Sequence, residues 1–263
     1  MKKIKLLLCL FMLTTLCGCS NSNKNESSKT LNAAMFWIST SLDPTNNYDG
    51  WVLSRIGVGE TLLKLNEKYE VEPYLAKSYE QIDDTTWKLT LKDSITFSNG
   101  KKVTGENVKS CLERAFEKNT RAIDYFDLNH VEAKGQDIYL YLNKSSGAIL
   151  NNLCEPLFTI YDASQSEEDI ASHPICTGPF VVDDFVSEKT IDTSKNKKYY
   201  DGKAKLDHVH FSQVADSDAR VLALQSGEVD LANTIDYSSL KLFRNNKDYQ
   251  VLEVLGPRTN VIY

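Results

Sequence analysis

The 263-residue chain is short of several things, and each shortage removes a class of function. It has no basic surplus: 30 Lys and Arg stand against 36 Asp and Glu. An acidic chain with scattered lysines is a poor match for nucleic acid or an anionic membrane surface. Cysteine is sparse, and Cys111, Cys154 and Cys176 are the last three of only six. An odd remainder of three excludes a disulfide scaffold, and no spacing matches a zinc motif. Beyond the first nineteen residues no apolar run approaches the length of a membrane span. There is no nucleophile elbow, no metalloprotease helix motif and no phosphate loop. There is also no internal repeat and no proline-rich linker.

The first nineteen residues, MKKIKLLLCLFMLTTLCGC, carry a different signal. Lys2, Lys3 and Lys5 form a positive n-region, and Leu6 to Leu16 form an apolar core too short to span a bilayer. Leu16-Cys17-Gly18-Cys19 reads as a lipobox, with Cys19 as the lipidated residue of the mature chain. The alternatives are an ordinary secretory signal that happens to contain cysteines and a poor membrane helix. Residues 1–18 are therefore a signal peptide, and 19–30 a polar tether without a residue to bury. Cleavage takes three positive charges from a formal −6, leaving −9. The expected location is the extracytoplasmic face of the cell membrane, held by lipid.

The remaining residues suit one large or two modest domains. Thr30 to Ser39 reads as a strand closed by Asp43-Pro44, and Trp51 to Leu65 as a helix with Val52, Ile56, Gly59 and Leu63 on one face. Trp87, Leu89 and Leu91 alternate with polar residues, as do Ile138, Leu140 and Leu142 with two tyrosines. Asn99-Gly100 marks a hairpin turn. Thr104 caps a helix whose stripe is Val108, Cys111, Leu112, Ala115 and Phe116. Cys111 on that stripe reads as a buried small hydrophobe. Phe180 to Val186, His208 to Val214 and Tyr249 to Leu255 read as strands. Between Ala215 and Gly227 lies a helix with Ala219, Leu222 and Ala223 facing a core, followed by a strand from Val229. Helix followed by short strand marks an α/β fold.

A series of segments, in order, resembles the solute-binding proteins of bacterial ABC importers in the oligopeptide, dipeptide and nickel group, family 5. These are Ser41 to Pro44, Gly59 to Leu63, Glu72 to Tyr79 (EPYLAKSY), Trp87 to Lys92, Ile95 to Lys101, Glu106 to Val108, Thr177 to Phe180, Asn196 to Gly202 and Ala219 to Asp230. The resemblance covers nearly the whole chain from Leu31. It implies a periplasmic-binding-protein-like type II α/β fold with two lobes and a β-rich insert in the first. Residues 31–60 and 177–236 would form a discontinuous lobe I, 61–176 the insert, and 237–263 the start of the crossover. Family members are roughly twice as long, so the chain reads as truncated after the first lobe, with the second largely missing and weak or absent ligand binding by itself.

The resemblance further implies a monomer that captures a short peptide or a nickel chelate and hands it to an ABC permease and its ATPase. It implies no enzyme activity and no cofactor, nickel being cargo. Hinge closure around ligand supplies the signal to the permease. Two other classes stay open: a peptide-sensing signalling lipoprotein and an exported hydrolase.

Within that frame Arg121 is the candidate carboxylate clamp, because a guanidinium offers a planar fork of donors. The nickel branch carries a second cleft arginine. Here the nearest segment, Cys154 to Phe158, has Glu155 instead, which would repel an anionic chelator. Trp37, Tyr48 and Trp51 are candidate aromatic walls, with lobe packing as the alternative. Thr177 and Gly178 form a candidate turn at the cleft. His208 and His210 point to the same side of a strand, a pair that could hold a metal only with a third ligand. Asp83-Asp84 and Glu167 to Asp169 read as solvated acidic loops.

Overall fold

The computed structural model describes residues 28–253. The signal peptide, Cys19 and most of the tether lie outside the described residues. The fold is mixed α/β and built on two main sheets. The first has five strands: β1 (Thr30–Met35), β8 (Phe180–Val186), β9 (Thr190–Lys195), β10 (His208–Gln213) and β11 (Leu231–Ala232), in the order β11-β1-β10-β9-β8. β1 runs parallel to both β10 and β11, whereas β8, β9 and β10 form an antiparallel meander. Ala33, Ala34 and Met35 are buried, so β1 is an inner strand with small residues against its neighbours.

The second sheet is antiparallel, in the order β4-β5-β7-β6, from β4 (Ala76–Asp83), β5 (Thr86–Leu91), β6 (Leu128–Lys134) and β7 (Asp137–Leu142). The alternation read in the sequence sets its faces. Leu89, Leu91, Ile138, Leu140 and Leu142 are buried, and Tyr139 and Tyr141 lie on the other side, half-buried. A small hairpin, β2 (Leu63–Leu65) with β3 (Val71–Pro73), lies between the two sheets in the sequence. One apolar cluster runs through both halves, from Ala33 and Val209 to Leu89 and Leu140.

The helices are α1 (Gly50–Arg55), α2 (Gly105–Lys118), α3 (Ala122–Tyr125), α4 (Ile149–Asn152), α5 (Glu167–Ser172) and α6 (Ser217–Ser226). α2 begins at a capping box. The Thr104 hydroxyl accepts from the Asn107 amide, and the Asn107 side chain accepts from the Thr104 amide. Val108, Cys111, Leu112 and Ala115 form its buried stripe against β6 and β7. α6 ends at Gly227 with φ +75°, a left-handed position open to glycine.

Three expectations are corrected. The helix read from Trp51 to Leu65 is only the six residues of α1. Gly57 takes φ +71° immediately after it, the chain turns extended, and Leu63 to Leu65 becomes β2. Leu222 does not face a core but is 64% exposed. The buried residues of α6 are Val221, Ala223 and Arg220, the last 3% exposed and donating to the carbonyls of Val214, Ala215, Asn233 and Thr234 at 2.6–3.0 Å. Four hydrogen bonds from one buried guanidinium outweigh one leucine in setting the helix's rotation. Tyr249 to Glu253 is not a strand, and the rest of that segment lies outside the described residues.

Candidate functional site

The site is built on the loop from Asp43 to Tyr48, which α2 and its C-terminal end hold in place. Arg114 on α2 forks onto Asp43, Nη1 to Oδ1 at 2.9 Å and Nη2 to Oδ2 at 2.7 Å. It also donates to Thr45 Oγ1, Tyr161 Oη and Glu167 Oε2. Burial pushes the Asp43 carboxyl up, but hydrogen bonds from Arg114 and Thr45 and the arginine's charge outweigh it, so it sits below the usual carboxylate range. One residue past α2, Asn119 donates to the carbonyls of Thr45 and Asn47 at 3.0 and 3.1 Å. Asn47 adopts φ +45°, a left-handed turn that asparagine tolerates. The loop therefore ends by presenting Tyr48 outward, 54% exposed.

Arg121 meets that ring. Its guanidinium carbon lies 3.7 Å from the Tyr48 centroid. Nη1 donates to Asn47 O at 2.9 Å and Nη2 to Tyr125 Oη at 2.7 Å. Across from it, α1 carries Trp51 and, one turn on, Arg55, whose guanidinium lies 5.5 Å from the Trp51 ring and 5.3 Å from the Phe36 ring. Trp51 Nε1 donates to Glu155 Oε1 at 2.9 Å. Glu155 precedes a short 3₁₀ turn, Pro156–Phe158, that packs on α1. These groups enclose an open cavity of about 480 Å³, lined by Trp37, Tyr48, Trp51, Arg55, Arg121 and Glu155 with Phe36 and Tyr125. The cavity thus has aromatic walls, two guanidinium groups and one carboxylate. Burial, then the negative charge of Glu155, pushes the Tyr125 hydroxyl up to about 12.

Four of the residues singled out in the sequence, Trp37, Tyr48, Trp51 and Arg121, share this cavity. Thr177 and Gly178 are elsewhere. Thr177 is fully buried and donates to Glu60 Oε2 at 2.8 Å, with Tyr199 donating to the other oxygen. Gly178 is where two backbones touch: a Cβ there would lie 2.5 Å from Gly57 O. His208 and His210 lie on β10, and His210 Nδ1 is 2.6 Å from Asp192 Oδ1. Among the described residues no group of three or more His, Cys, Asp or Glu is placed to hold a metal. Cys111, Cys154 and Cys176 are free thiols, and burial raises all three, Cys111 to about 12 and Cys154 to about 11. None of them lines the cavity with Arg121.

The model for bacterial extracellular solute-binding proteins, family 5, matches residues 70–263. The chain belongs to this family. Among its relatives is the nickel-binding protein NikA of Staphylococcus aureus, 33% identical over 247 residues, 94% of this chain and 49% of that one. The structure of that S. aureus protein in complex with Ni(L-His)2 is similar with a TM-score of 0.78, over 84% of this chain and 46% of that one. A nickel ABC transporter structure from Bacillus halodurans, 30% identical, has a TM-score of 0.79 over the same 84%, and 46% of its own chain. This family 5 chain spans about half the length of the relatives it matches.

In this family 5 chain, sequence reasoning missed Arg55. A helix running to Leu65 would have put it in mid-helix, at the edge of the stripe of Val52, Ile56 and Gly59. The available signal was the Gly57–Gly59 pair just beyond it, which ends the helix and leaves Arg55 in the last turn, four residues from Trp51.

Proposed function

We propose that this chain is the ligand-capturing first lobe of an extracytoplasmic solute-binding lipoprotein that delivers a nickel chelate or a short peptide to an ABC permease. The lipid sits on Cys19, residues 31–60 and 177–236 form lobe I, and 61–176 form the inserted subdomain. The observation that carries the reading is Arg121, stacked on Tyr48 at the wall of an aromatic cavity with a second guanidinium across it. The Arg121 fork over aromatic walls binds a carboxylate-bearing organic ligand by hydrogen bonds and broad apolar contact, with no reaction needed. A nickel chelate is favoured over a peptide by the likeness to the S. aureus nickel-binding protein, which extends along 94% of this chain.

The test is a tryptophan-fluorescence titration of the full-length protein with Ni(II) and L-histidine at 1:2 and, separately, with a mixed dipeptide and tripeptide pool. Trp37 and Trp51 line the cavity and would report occupancy directly. Saturable quenching by the nickel–histidine mixture, absent in Arg121→Ala, is the expected result. Saturation by peptides alone assigns the cargo to peptides. No response to either ends the capture reading.

A further inference from the structure

Glu155 is the odd group in the cavity. Two guanidinium groups would suffice for an anionic ligand, and a carboxylate beside them works against one. The simplest account, that Glu155 neutralises Arg121, does not match the geometry. Arg121 donates to a backbone carbonyl and a phenol oxygen and stacks on Tyr48. Glu155 accepts from the neutral indole of Trp51. Among the described residues no direct ion pair joins Glu155 to Arg121; both meet the neutral Tyr125 hydroxyl instead. Each charge is thus held in place by uncharged neighbours, and each keeps acceptor or donor capacity to spare. Glu155 accepts from the Trp51 indole and is hydrogen-bonded to the Tyr125 hydroxyl, both uncharged, where a carboxylate can take several more bonds, and a guanidinium carries five N–H donors.

Glu155 is also anchored. It leads directly into Pro156, whose carbonyl lies 2.3 Å from where a Cβ on Gly50 would stand. That contact fixes the turn carrying Glu155 against the helix carrying Trp51 and Arg55. The carboxylate is therefore a built part of the wall rather than a side chain that drifts into it.

We infer that Glu155 selects the ligand: it accepts N–H donors from a molecule whose carboxylate meets Arg121, and it excludes polycarboxylates. The class is amino-acid-like, a carboxylate with amine or imidazole N–H groups beside it. An amino-acid chelate of nickel and a peptide end both have this chemistry, whereas an all-carboxylate chelator does not. The inference rests on the capture reading above and adds the polarity of the ligand to it.

The test compares two chelates on the full-length protein by isothermal titration: Ni(II) with L-histidine at 1:2, and Ni(II)–EDTA. The peptide pool is a third arm that separates the two sources of the same chemistry. The wild type should bind one amine-bearing probe at least about tenfold more tightly than Ni(II)–EDTA. Glu155→Gln should lose about tenfold or more for that probe and gain affinity for Ni(II)–EDTA, because the repelling charge is gone. Glu155→Asp should retain the sign of the wild-type preference. A packing role moves both probes the same way, so a parallel loss in Glu155→Gln overturns the inference, as does a wild type that prefers Ni(II)–EDTA. In both of those cases the capture reading stands. A wild type that binds none of the three probes ends the capture reading and this inference with it.

Discussion

Arg121 and Tyr48 stack, guanidinium over ring, at 3.7 Å, although 73 positions of chain separate them. Neither residue lies within a regular element. Arg121 sits one turn beyond α2, and Tyr48 closes a loop that α2 itself restrains through Arg114. One helix thus fixes both partners of the contact.

Replacing Arg121 should separate binding from stability. The residue is half-buried and its stacking contributes about 0.5–1 kcal/mol. Arg121→Ala should lower the thermal midpoint by only a few degrees, yet abolish ligand-induced quenching. Arg121→Lys keeps the charge and loses the fork, and should recover little of the affinity. Parallel melting curves and fluorescence titrations decide this.

The Arg114–Asp43 pair is a stability element. Its side chains are 11% and 12% exposed. Asp43→Asn removes the more buried of the two carboxylates that Arg114 bonds, leaving Glu167 as its counter-charge, and should cost about 1–3 kcal/mol by urea denaturation. The pH dependence follows from the lowered carboxyl of Asp43. A depressed folded-state pKa stabilises above the unfolded value of about 4, and that contribution is lost as pH falls through the folded value. The wild type should therefore lose stability more steeply below pH 4 than Asp43→Asn does.

Asp49 should act in the opposite direction. It is 3% exposed, and burial, offset in part by the Asn46 side chain and reinforced by the charge of Asp43, raises it to about 6. Its folded form binds a proton between pH 4 and 6 that the unfolded form has already released, so its contribution falls as pH rises through that window. Asp49→Asn should gain about 1–2 kcal/mol at pH 7 and nothing at pH 4. Denaturation midpoints of both proteins at the two pH values measure it.

Gly50→Ala probes the cavity without touching its lining. The added methyl meets Pro156 O at 2.3 Å, a backbone atom that has to move. The walls bearing Trp51 and Glu155 must then part. We expect a loss of about 1–3 kcal/mol in stability and a weaker ligand titration together. A stable variant with unchanged affinity would show that the wall spacing is not set here.

How far the sequence was readable varies with the range of the forces involved. α2 was legible because its cap, Thr104 with Asn107, and its stripe from Val108 to Ala115 are local and agree. β7 was legible because its burial alternates along the strand, and β5 because Leu89 and Leu91 turn inward on one face. α1 was overrun because the apolar spacing continues past Arg55, whereas the chain leaves the helix at Gly57, whose φ is +71° and where a Cβ would meet Phe180 at 3.1 Å. Leu222 was misplaced because apolar spacing does not show that Arg220 will turn inward to four carbonyls in the segments flanking its helix. At the candidate site, the aromatic residues and Arg121 could be named through a family resemblance. Arg55 could not, since its place in the cavity depends on where α1 stops.

The placement of β1 has a temporal consequence. Thr30 pairs with His208 and Ala33 with Leu231, so the first strand made has both of its neighbours near the far end of the described chain. During vectorial synthesis β1 waits, unpaired, until β10 and β11 have emerged, more than 170 residues after it. Folds dominated by such long-range pairings close slowly, in milliseconds to seconds. A polypeptide that cannot finish its central sheet early stays extended longer, and an extended chain is the form that threads a narrow pore.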